Sequence, residues 1–183
     1  RQMCIRDRAS LDVIGHILNR GDLPDREVVD QILVVINNLL ALAAEQAINV
    51  ATDAELETIC QATRPLYQQQ LGLIEHGLAR INLLRCVMQT SKNLPLQLIS
   101  KSLFEQFAPN MEPLADYVQI DYATYAEYAK KLDNALQARN AIAVRETFEA
   151  FAKLNRDSLI KAYSAAQRHL APLSANQPME AIS

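Results

Sequence analysis

The stretch Leu78–Asn93, LARINLLRCVMQTSKN, limits the fold most strongly. Leu78, Ile81, Leu84, Val87 and Met88 recur at three- and four-residue steps, the period of one helix face. Leu83 and Cys86 add apolar surface to the other side, and only Arg80, Asn82, Arg85 and Gln89 interrupt it before Thr90. A helix apolar on most sides is packed by neighbours all round. The expectation is therefore a central helix with the rest of the chain wrapped around it. Asn93 suits the left-handed end of a helix, and Pro95 cannot continue the turn.

Composition says what does the wrapping. Half of the 183 residues are hydrophobic, with only four glycines and no tryptophan. Such a length buries roughly 70% of the unfolded surface, and short β-branched runs leave helix as the favoured element. The fold class expected is all-α, an antiparallel bundle of six to seven helices over residues 9–170. Arg1–Arg8 (RQMCIRDR) has no helical period and reads as translated adapter sequence, a sequencing scar outside the fold. Residues 171–183, polar and containing proline, read as a flexible tail.

The helices announce themselves in order. Ser10 caps one that reaches about Asn19, with Leu11, Ile14, Ile17 and Leu18 on one face. The next runs from about Asp25 to Ile48 and carries Ile32, Val35, Ile36, Leu39, Leu40, Leu42 and Ala43. From Glu27 to Thr63 there is no lysine or arginine, so this part is built to be buried. Thr52-Asp53-Ala54-Glu55 starts another helix, which Pro65 kinks or restarts. Leu96–Phe107 follows the central helix, with Leu98, Ile99, Leu103, Phe104 and Phe107 apolar, until Pro109 and Pro113 break it. Asp116–Thr124 reads as loop or ragged helix. Tyr125–Ala138 turns Tyr128, Leu132 and Leu136 inward. Asn140–His169 is the last long helix, with Ile142, Val144, Phe148, Phe151, Leu154, Leu159 and Tyr163.

Chemistry is sparse. There is no ExxH pair for a di-iron bundle, and no HExxH, P-loop, GxSxG or DDxxD. His16, His76 and His169 stand on separate elements, as surface or packing residues do. Cys4, Cys60 and Cys86 make no CxxC, and Cys60 and Cys86 read as small buried hydrophobes. No enzyme, metal or cofactor reading follows. A net charge of −3 excludes a surface that binds polyanions as a whole. No signal peptide and no unbroken membrane-spanning run is seen, and the expected address is the cytoplasm. The last helix is more informative. Lys153 and Arg156 share a face beside Phe148, Phe151 and Leu159, a wall that suits a ligand with a greasy part and an anionic part. The plain alternative is a solvated face in which Glu149 and Asp157 pair with Lys153.

Taken together, SLDVIGHILN, REVVDQILVVINNLLALAAEQAINVATDAELETI, the central helix ending SKNLP and KKLDNALQARNAIAVRETFEAF resemble the C-terminal effector domain of GntR-type transcription regulators. The likeness is to the fatty-acid-responsive (FadR-like) branch and covers roughly Ser10 to Tyr163. It implies a homodimeric sensor of long-chain acyl-CoA or a similar lipid-like effector. Metal-binding relatives carry an aspartate and three histidines where this chain has Arg80, Leu84, Ala129 and Phe151, none of which can ligate a divalent cation here. They often place an arginine where Ile36 stands. Effector contacts implied by the resemblance are Phe151, Ala152, Asn155 and Leu159, the last three replacing glycine, serine and tryptophan of relatives. Leu84 and Met88 on the central helix, with Lys153 and Arg156, complete the expected set. The winged helix-turn-helix domain of the family is not within these residues, so DNA would be bound only through it. The rival readings are a metal-dependent organic-acid sensor of the same family, and the helical ligand-binding domain of a TetR-like regulator or a helical adaptor.

Overall fold

The computed structural model describes residues 18, 23–68 and 70–174. The expected Ser10–Asn19 helix lies outside these except for Leu18, which is fully buried; Arg1–Arg8 and the tail beyond Ser174 lie outside as well. The described residues form an all-α bundle. Its helices are α1 Arg26–Val50, α2 Asp53–Thr63, the four-residue α3 Pro65–Gln68, α4 Leu73–Thr90, α5 Leu94–Phe107, α6 Tyr122–Gln137 and α7 Ala141–Ser174. A 3₁₀ segment, Ala108–Tyr117, joins α5 to the loop before α6.

The starts are fixed by side chains that accept from otherwise orphaned backbone N–H groups. Asp25 Oδ1 accepts from Glu27 and Val28, and Asp121 Oδ1 accepts from Thr124. Asn140 Oδ1 accepts from Ala143. Thr52 and Glu55 form a reciprocal capping box, as their spacing predicts. Pro65 restarts the chain as α3 after Arg64.

Several boundaries depart from expectation. Asn93 is not the left-handed residue: it caps α5, its Oδ1 accepting from Leu96, and Lys92 takes the left-handed turn at φ 54°. Pro109 and Pro113 do not end helical structure but tighten it into the 3₁₀ segment. The last helix runs through Pro172 to Ser174 rather than giving way to tail there.

α1 packs along α7, α7 along α6, and α2 lies against both α4 and α6. By length and composition α1 would suffice to cross a membrane. Here its stripe of Val29, Ile32, Ile36, Leu40, Ala43 and Ala47 is core. The central-helix expectation is corrected. α4 buries one face, His76, Leu83, Val87 and Met88. Ile74, Leu78 and Ile81 are 77%, 62% and 63% exposed. Val35, Leu42, Leu98, Ile99 and Ile142, all expected inside, are exposed too.

One end of the bundle is tied by the two described non-glycine residues with positive φ, Lys92 and Arg139 (φ 48°). Arg139 donates to the Ala51 carbonyl at 3.1 Å and to Asp53 Oδ1 at 2.6 Å. Lys92 donates to the Val50 carbonyl at 3.4 Å and Glu55 Oε2 at 3.1 Å. Both turns therefore close on the α1–α2 junction and satisfy carbonyls that the end of α1 leaves open.

Candidate functional site: an apolar groove and an aromatic column

Two features of the bundle carry chemistry. The first is a groove of about 490 Å³ between α4 and α5. Ile81, Leu84, Met88 and Phe104 give it apolar walls. Arg85 and Lys101 stand at its rim. Ser100 also lines it; this residue is buried, and its hydroxyl has no hydrogen-bond partner among the described residues. A buried hydroxyl left unsatisfied is unfavourable unless water or a ligand completes it.

The second feature is a column of rings where α4, α6 and α7 meet. Tyr125 stacks on Phe151 at 4.5 Å between centroids, and Phe148 approaches Phe151 edge-on at 6.1 Å. The Arg80 guanidinium lies 5.0 Å from the Tyr125 ring centre and donates to Asn155 Oδ1 at 2.6 Å. A desolvated cation over an aromatic face is held by the ring quadrupole. His76, one turn before Arg80, meets Tyr125 and Tyr122 edge-on at 4.7 and 5.1 Å. It is only 2% exposed, and neither ring nitrogen has a hydrogen-bond partner among the described residues. Burial, reinforced by the Arg80 charge, pushes its imidazole down to about 4, so it is neutral near pH 7. Beside it lies a cavity of about 280 Å³ lined by Leu66, Leu71, Tyr122 and Ala126.

The residues expected to bind effector are distributed among different places. Leu84 and Met88 meet in the α4–α5 groove. Phe151 is buried in the ring column and Asn155 is engaged by Arg80. Ala152, Lys153 and Arg156 line a hollow of about 440 Å³ between α1 and α7. Leu159 and Arg156 line a neighbouring one of about 350 Å³. Arg156 is committed to Asp30 of α1, with Nη2 to Oδ2 at 2.6 Å. Glu149 pairs with Arg145 rather than with Lys153.

Of the four positions that the sequence resemblance compares with a metal site, Arg80 and Phe151 both meet Tyr125, and Ala129 is buried one turn along α6. Leu84 is one turn along α4. Arg80 and Phe151 bring a guanidinium and a ring to this region. Among the described residues no three histidine, cysteine, aspartate or glutamate side chains gather as a metal site.

Cys60 is buried. Burial, reinforced by the nearby Asp133 carboxylate, pushes its thiol up to about 12, which disfavours the thiolate. Asp133 itself accepts from Tyr67 at 2.7 Å and Gln137 at 3.1 Å, a structural junction of α3 with α6.

The sequence reading of His76 as a surface or packing residue holds in its packing form, but does not anticipate its contact with Tyr125. The signal available was the i, i+4 spacing of His76 and Arg80, which puts imidazole and guanidinium on one face of α4. No protein-family model matches the chain, and neither a curated protein nor a solved structure matches it.

Proposed function

We propose that the bundle is the effector-sensing domain of a GntR-type transcription regulator, and that it takes long-chain acyl-CoA or a similar lipid-like ligand in the α4–α5 groove. The observation that carries this reading is the groove's chemistry. Its apolar walls of Ile81, Leu84, Met88 and Phe104 suit an acyl chain, and Arg85 and Lys101 at the rim suit an anionic head. Two of the residues expected at the effector site, Leu84 and Met88, are among its lining. Burying hydrocarbon is worth up to roughly 0.8 kcal/mol per methylene. That energy shifts the bundle between two arrangements only if one of them binds the chain better. In this reading the protein is a homodimeric cytoplasmic sensor and not an enzyme. DNA is contacted only through a domain outside these residues.

Titration calorimetry with palmitoyl-CoA against free CoA tests the reading. Palmitoyl-CoA should bind with a negative heat-capacity change, and free CoA weakly or not at all. Lys101→Glu, a change at an exposed rim position, should weaken palmitoyl-CoA and reduce the salt dependence of binding. Absent binding, or equal binding of the two ligands, would overturn the acyl-groove reading.

A further inference from the structure

α4 presents an exposed ridge of Ile74, Leu78 and Ile81, at i, i+4 and i+7, which Arg85 continues at i+11. Glu75 flanks its other end, one residue from Ile74. The ridge is self-complementary about the midpoint between Leu78 and Ile81. When a second α4 is laid antiparallel across it, Leu78 falls opposite Ile81 and Ile74 opposite Arg85. Glu75 then stands within the same turn as that guanidinium. Among the described residues Arg85 donates to the amide oxygen of Asn82, and Glu75 accepts from the Gly72 N–H. Neither has an ion pair among the described residues. Across the groove, α5 offers a second exposed ridge at Leu94 and Leu98. Exposed apolar surface on this scale, bordered by charge, marks an interface.

We infer that the occupant is a second copy of this chain, joined antiparallel through α4, and that the interface closes the α4–α5 groove. Ile81 and Arg85 belong both to the ridge and to the groove lining, so a copy seated on the ridge supplies the groove's missing outer wall. A closed two-fold contact is self-matching in this way: each side presents the same patch. The closing role rests on the groove being the effector site, whereas the pairing of helices does not. A ligand held in a groove completed by two copies strengthens their association, and association strengthens its binding by the same factor.

Sedimentation velocity of the 183-residue chain over a range of concentrations tests the pairing. The expected result is a concentration-dependent dimer, weakened roughly tenfold or more by Leu78→Glu, which places a charge in the apolar centre. Arg85→Glu and Glu75→Arg should each weaken it, and the double exchange should recover it, with circular dichroism checking that each variant stays helical. A chain that is monomeric at about 100 µM, or a dimer indifferent to Leu78→Glu and to the charge exchange, overturns the pairing. Palmitoyl-CoA should tighten the dimer, and Leu78→Glu should weaken its binding. A dimer that palmitoyl-CoA binds without tightening overturns the closing of the groove. A dimer with the expected variant pattern that fails to bind palmitoyl-CoA supports the pairing and defeats the effector reading alone.

Discussion

His76 is the residue whose surroundings depart furthest from what its sequence neighbours suggest. It is enclosed by Tyr122 and Tyr125, with the Arg80 charge one turn away and both nitrogens unpartnered among the described residues. Its imidazole, near 6.5 in the unfolded chain, is pushed down to about 4 in the fold. The folded state therefore binds fewer protons than the unfolded state between these values. The sign follows: its contribution to stability is complete above pH 6.5 and is lost progressively as the pH falls towards 4. At pH 5 the loss is roughly 2 kcal/mol. Urea unfolding at pH 7.5 and pH 5 should show that loss in the native chain and a smaller one in His76→Phe, which keeps an edge-on ring without the titrating nitrogens. Equal losses in both would refute the assignment. Nothing in the sequence announces this burial, because imidazole is common both on surfaces and in cores. Lys92 illustrates a different blind spot. Asn93 is the better left-handed residue in isolation, but capping α5 claims its side chain, and the positive φ moves to its neighbour.

The elements themselves were largely legible. Their apolar period, the Thr52–Glu55 start and the interruptions at Pro65 and Pro95 all correspond to observed ends or beginnings. Removing the Thr52 cap should cost about 1 kcal/mol, so Thr52→Ala should lower stability by that much in a denaturant titration. Arg139→Ala should cost a similar amount, roughly 1 kcal/mol, because it leaves the Ala51 carbonyl and Asp53 without their guanidinium partner while the left-handed turn, already held by a non-glycine residue, is unchanged. An Arg139→Ala variant as stable as the native chain would show that the junction is held by the cap alone. What the sequence could not supply was which face of each helix points inward. α4 is apolar on both sides, and only contact with α1 and α2 decides that Leu83 and Val87 are core while Leu78 and Ile81 face out. The same holds for α5, where Leu96 and Leu103 are buried and Leu98 is not. Thus the likeness to effector domains named Leu84, Met88, Phe151 and Asn155 together, yet could not say that a filled ring column would separate the first pair from the second.

At the scale of the molecule, the acyl-CoA reading brings an anionic ligand to a protein that is itself net negative. No cation occurs between Glu27 and Thr63, so in that reading attraction is local, at Lys101 on the groove rim. Ligand that binds the folded chain and not the unfolded one raises stability by RT ln(1 + [L]/Kd), about 2.7 kcal/mol at a hundredfold excess over Kd. For a chain of this size each kcal/mol moves the midpoint by roughly 2–4 °C, so saturating palmitoyl-CoA should raise Tm by about 5–10 °C. The effect should grow with chain length. Octanoyl-CoA has eight fewer methylenes, worth at most about 6 kcal/mol of transfer energy when fully buried, and should give little shift at the same concentration. If the head group alone held the ligand, the two thioesters would move Tm equally. Leu78→Glu separates the contribution of the second copy: with the outer wall gone, the methylenes remain partly in water, and the difference between the two chain lengths should shrink.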